Sequence, residues 1–79
     1  MRAKEPCYVI SFHTAADAIA FEKKAGSACF PGRLIPLPRA ISAGCGMSWK
    51  LTKKEAPEHM PELLDSFEIE YEEVYELQL

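Results

Sequence analysis

Gly32-Arg33-Leu34-Ile35-Pro36-Leu37-Pro38-Arg39-Ala40-Ile41-Ser42-Ala43-Gly44-Cys45-Gly46-Met47-Ser48-Trp49-Lys50-Leu51 is the stretch on which the reading of this 79-residue chain turns. Its first part, residues 32–38, is apolar and β-rich and reads as a strand. Pro36 cannot donate to a ladder on both sides, which assigns that strand to a sheet edge. Its last part, residues 47–51, alternates apolar and polar with period two, the pattern of a strand with one wet face. Residues 39–46 break both patterns and form the loop between the two strands.

Outward from this centre the pattern repeats. Cys7-Tyr8-Val9-Ile10-Ser11-Phe12-His13 is a compact block of β-branched and aromatic residues, hence a first strand. Thr14 suits a helix N-cap, and Asp17 places a carboxylate in the first turn. Residues 15–25 read as helix with Gly26 as its stop. On that helix Ala18, Phe21 and Ala25 share a face that an extension would carry to Cys29. Glu22 falls within the stripe, as a rim carboxylate or as a partner for a cation such as Arg39. A second helix is expected over 58–67, with Pro57 and Pro61 near its start. Tyr71–Leu79 reads as a fourth strand with Tyr71, Tyr75, Leu77 and Leu79 on one face. The order β-α-β-β-α-β predicts an α+β, ferredoxin-like sandwich. Its antiparallel sheet would run 4-1-3-2, with both helices on one face and the other left open to a partner or a second copy.

Length and composition fit one domain over residues 1–79, of which 1–6 read as a loosely held leader. At 48% hydrophobic and a net charge of −3 the chain is neither disordered nor strongly basic. Nucleic-acid binding is therefore not expected. The longest run free of charge holds eleven residues (Pro6–Ala16), too short to span a bilayer, and no signal peptide is evident. The cytosol is the expected compartment. Cys7, Cys29 and Cys45 form no close pair, so neither a disulfide framework nor a zinc site is expected, and no metal or other cofactor is called for. Charge is divided: residues 1–54 hold nine bases and three acids, residues 55–79 nine acids and no base. Interleaving of the halves in the fold would offset the imbalance; otherwise it marks an interaction surface.

The 39–46 loop carries the chemistry. Gly44 and Gly46 leave Cys45 without flanking side chains, so a bulky sulfur donor could approach its thiol. Glycine also permits positive φ, which can turn backbone N–H groups toward an anion. Arg39 can fold back to set a cation beside the thiol, and Ser42 adds a hydroxyl donor. Cations and N–H donors stabilise a thiolate, the nucleophilic form. The same spacing also suits plain packing, because a free cysteine often serves as a small hydrophobe. Cys7, Cys29 and Trp49 read as core, His13 as a hydrogen-bonded residue at a strand–helix junction, and Tyr75 as a strand residue.

Phe12-His13, Asp17-Ala18, Glu22, the run Pro31–Arg39, then Ser42-Ala43-Gly44-Cys45-Gly46, Trp49 and Tyr71–Leu77 together resemble the selenium/sulfur carrier-like proteins, a family of small bacterial domains. The most specific part is Pro-x-Pro-Arg followed by Ser-x-x-Cys-Gly. Met1–Pro6 and the two prolines of the second helix depart from the family pattern. The resemblance implies that Cys45 carries sulfur or selenium between donor and acceptor proteins, as a protein-bound reagent rather than an enzyme with its own turnover. Two other functions fit the residues. One is an interaction module in which Cys45 only shapes the loop. The other is a thiol redox switch, which needs Cys7 or Cys29 within about 7 Å of Cys45 in Cα distance.

Overall fold

The computed structural model describes residues 4–41 and 46–79. Its elements are β1 (Pro6–Ser11), α1 (Ala15–Ser27), β2 (Arg33–Pro36), β3 (Met47–Thr52), α2 (Met60–Ser66) and β4 (Glu73–Gln78). The four strands form one antiparallel sheet in the order β2-β3-β1-β4, which from the β4 edge reads 4-1-3-2. β2 is an edge, as Pro36 requires. Glu5 and Pro6, expected in a leader, belong to the sheet: Pro6 opens β1, and the backbone of Glu5 exchanges hydrogen bonds of 2.9 and 3.0 Å with Leu79.

The register fixes two faces. Tyr8, Ile10 and Phe12 share a side with Trp49, Leu51 and Val74, and there the apolar cluster forms. α1 adds Ala18, Phe21 and Ala25 to it and α2 adds Met60 and Leu64, so both helices lie on this side. Phe21 sits at the centre, its ring 5.2–5.9 Å from those of Phe12, Phe30, Trp49 and Phe67. Tilted and edge-on arrangements of this kind bring the positive edge of one ring to the negative face of the next. Tyr71, expected beside Tyr75 and Leu77, instead precedes β4 and packs on this cluster.

The other face carries Cys7, Val9, Ser11 and Ser48 in its central strip, and all are fully buried. An open face with a wet Ser48 was expected; only its margins, such as Arg33 and Glu73, are exposed. Ile35, Tyr75 and Leu77 on the same face are half-buried. The divided charges meet at least once: Lys53, at the end of β3, donates to the Glu76 carboxylate and lies 5.3 Å from the centre of the Tyr8 ring. The hydrogen bond to Glu76 raises the Lys53 pKa.

α1 begins as expected, with the Thr14 hydroxyl oxygen accepting from the Asp17 N–H at 3.1 Å. Its end is different. The helix runs through Gly26 to Ser27, and Cys29 takes the left-handed conformation with φ 55°. Phe30 N–H then bonds Ala25 C=O at 2.8 Å, and Cys29 N–H reaches toward Gly26 C=O at 3.4 Å. This is a Schellman ending in which cysteine stands where glycine is usual. It turns Phe30 into the core and leaves Cys29 exposed, against the expectation of a buried thiol. α2 is shorter than expected, with Pro61 in its first turn where no intrahelical donor is required.

Gly32 has φ +111°, and a Cβ there would lie 2.4 Å from both the Lys50 carbonyl oxygen and Trp49 Nε1. The bare backbone lets the indole N–H donate to Pro31 C=O at 2.9 Å. Two stability changes follow. Cys29→Gly relieves a left-handed non-glycine residue and should raise stability by about 1 kcal/mol, a Tm gain of roughly 4–8 °C in a domain of this size. Gly32→Ala combines backbone strain with a clash and should cost about 2–4 kcal/mol, lowering Tm by ten degrees or more. Thermal unfolding followed by circular dichroism measures both.

Candidate functional site

The expected site residues divide sharply. Arg39 and Gly46 are described; Ser42, Gly44 and Cys45 lie outside the described residues. What the structure defines is the frame from which the loop springs. Pro36 is opposite Met47, and the Leu37 N–H donates to Gly46 C=O at 2.9 Å, closing a neck between β2 and β3. Gly46 adopts φ +92°, the conformation that glycine was expected to supply, and open space surrounds the position of its missing Cβ. Beyond the neck, Ile41 N–H bonds Pro38 C=O at 3.0 Å across a turn with Arg39 and Ala40 at its corner. Ile41 is buried and anchors the loop, while Arg39 projects into solvent. Arg39 and Glu22 are both exposed and form no ion pair with each other, so an anchoring role through Glu22 does not hold.

The row of residues that ends the sheet here is Ile35–Ser48–Ser11–Glu73. Ser11 Oγ donates to Glu72 Oε1 at 3.2 Å, and the Glu72 N–H donates to Ser11 C=O at 2.7 Å. The other carboxylate oxygen of Glu72 is 3.6 Å from His13 Nδ1. A carboxylate, an imidazole and a buried hydroxyl thus stand at the sheet end where the loop departs, beside the N-terminus of α1. Sequence reasoning had placed His13 at this junction but missed Ser11, Ser48 and Glu72. Contact across 61 residues leaves no local signal. A serine in a strand also reads as wet by default.

Ser48 adds a tension. Its hydroxyl is wholly buried and has no partner among the described residues. A cavity of about 290 Å³ lies toward the opposite end of β3, lined by Arg33, Lys50 and Thr52 with Glu5 and Glu55. None of the described loop residues lines it. Among the described residues no group of three His, Cys, Asp or Glu side chains is placed to hold a metal ion, and no helix is long and apolar enough to cross a membrane.

A family model described as "Putative Se/S carrier protein-like" matches residues 7–76. The chain belongs to that family. The match runs from β1 into β4 and takes in the whole 37–46 connection, so the loop is an integral part of the family domain. No curated protein and no solved structure matches the chain.

The unpartnered hydroxyl gives a direct test of the sheet end. A buried hydroxyl without a hydrogen bond costs roughly 1–3 kcal/mol of desolvation. Ser48→Ala should therefore leave Tm unchanged or raise it by a few degrees. A clear loss of stability in urea or thermal unfolding would mean that the hydroxyl has a partner.

Proposed function

We propose that this domain carries sulfur or selenium on Cys45 between a donor and an acceptor protein. The observation that carries the reading is the family match, which spans the loop holding Cys45. The fold fits a protein-bound reagent: one small antiparallel α+β layer, read here as ferredoxin-like, presents a glycine-bearing loop closed at a tight neck.

The chemistry needs no outside oxidant. The Cys45 thiolate attacks the outer sulfur of a donor persulfide, the donor S–S bond breaks, and the donor cysteine leaves as a thiolate. The new S–S bond sits on Cys45; an acceptor thiolate then attacks the outer sulfur, that S–S bond breaks, the sulfur passes to the acceptor and Cys45 leaves as a thiolate. Selenium would follow the same path as a selenosulfide. Arg39, exposed at the turn corner and free of ion pairs among the described residues, supplies a cation for the anionic intermediates. Ser42 and the N–H groups about Gly44 and Gly46 add donors. Such traffic requires a reducing compartment, in which Cys7 and Cys29 stay as thiols.

Incubation with a cysteine desulfurase and cysteine should add one sulfur atom to the intact mass. The gain should persist in Cys29→Ser and vanish when Cys45→Ser is added to it. The Cys29→Ser control is needed because Cys29 is exposed and would otherwise compete for sulfur and alkylating agents alike. In that background Arg39→Ala should slow alkylation of Cys45 at neutral pH several-fold without lowering Tm, and Arg39→Lys should restore part of the rate. Transfer that survives in the Cys29→Ser, Cys45→Ser double variant would overturn the assignment. Partner binding that survives while transfer is lost is the expected behaviour of a carrier.

A further inference from the structure

The two edges of the sheet are treated differently. In an antiparallel ladder, residues alternate between bonding inward to the neighbour and pointing their N–H and C=O outward. Along β2, Leu37 bonds inward to Gly46, which makes Arg33 and Ile35 inward and Leu34 and Pro36 outward. Pro36 has no N–H, so the outer side of this short strand offers one ladder donor, Leu34. That edge is blunted in the usual way, by shortness and by proline.

β4 carries no such protection. Glu5 and Leu79 exchange both hydrogen bonds, so the register makes Leu77 and Tyr75 inward as well. Val74, Glu76 and Gln78 then point their N–H and C=O groups outward. The strand runs for six residues without proline, lysine or arginine, and no backbone bond to its outward groups is made among the described residues. Its flank is strongly acidic: residues 68–76 hold five glutamates and no base. Glu72 and Glu76 are engaged with Ser11 and Lys53, whereas Glu68, Glu70 and Glu73 are exposed and have no ion pair among the described residues. Tyr75 and Leu77, half-buried on the face opposite the helices, share that face with Glu73 and offer apolar contact there.

We propose that the outer edge of β4 is a docking surface for an extended, basic segment of a partner protein, which joins the sheet as a fifth strand. Main-chain bonds to Val74, Glu76 and Gln78 hold the segment. Lys or Arg side chains on one face of the segment meet Glu73 and lay their apolar stems over Tyr75 and Leu77 on the same face, while the alternate apolar residues meet Val74 on the helix side. A second copy is a poor occupant, since pairing two β4 edges stacks acid on acid. The surface shares no residue with the 39–46 loop and stands whether or not Cys45 carries sulfur.

The test uses the full chain and three fluorescein-labelled heptapeptides: alternating lysine–valine, alternating glutamate–valine, and a lysine peptide with proline replacing valine. Fluorescence anisotropy should show saturable binding of the lysine–valine peptide alone. Amide hydrogen exchange should slow at least tenfold at Val74, Glu76 and Gln78 when it binds. Gln78→Pro removes an outward donor while sparing the bonds to β1, and should weaken binding by about three- to tenfold. Glu73→Lys should weaken it comparably with Tm unchanged, which keeps the test decisive if the proline variant folds poorly. The proposal fails if the lysine–valine peptide does not bind, or if the proline peptide binds equally well. It also fails if binding leaves those three amides unprotected, or if sedimentation finds the edge occupied by a second copy.

Discussion

The ring of Phe21 is the constraint around which this domain is built. Among the described residues it is the one side chain whose ring meets those of Phe12 just after β1, Phe30 in the α1–β2 connection, Trp49 in β3 and Phe67 at the end of α2. A chain of 79 residues has little surface to bury and a correspondingly small margin of stability. A shared aromatic centre lets one layer of helices hold a whole sheet. Trp49 extends that centre to the β2 edge through its bond to Pro31, and the neck of the 37–46 loop lies along the same pair of strands. The geometry of the loop base is thus set by the core, two residues of β3 away from Trp49.

What could be read from the sequence was whatever depends on local pattern. Period-two alternation at Met47–Leu51, the Thr14–Asp17 cap and the proline at position 36 each have a short-range cause, and each sits where its chemistry dictates. Gly46 likewise takes a turn conformation that glycine alone adopts easily. The failures have long-range causes. Gly26 looked like a helix stop, yet the stop is Cys29, because the chain must reverse where Phe30 can enter the aromatic centre. The tertiary gain outweighs the cost of a left-handed cysteine. Tyr71 looked like part of a strand face but is drawn to the cluster before β4 begins.

At the candidate site the division is the same. The positive φ of Gly46 was legible from residue type and position alone. The Ser11–Glu72–His13 arrangement was not, since it joins residues from the two ends of the chain. Ser48 was read as wet from alternation alone; burial of the strip around Val9 and Cys7 removes the water that such a pattern presumes.

The placement of β1 has a consequence for how the domain is made. β1 is synthesised before the other three strands but lies in the interior of the sheet, flanked by β3 and β4, and its pairs with β4 lie 62 to 72 residues apart in the chain. Loop closure of that length delays pairing, and folds dominated by such contacts form slowly. Until β4 has been synthesised, β1 keeps an unpaired edge and Cys7 lacks its cross-strand neighbour Leu77. During translation the most apolar strand of this protein therefore waits the longest for cover, and a nascent chain stalled before residue 73 is the form most exposed to chaperones and to aggregation.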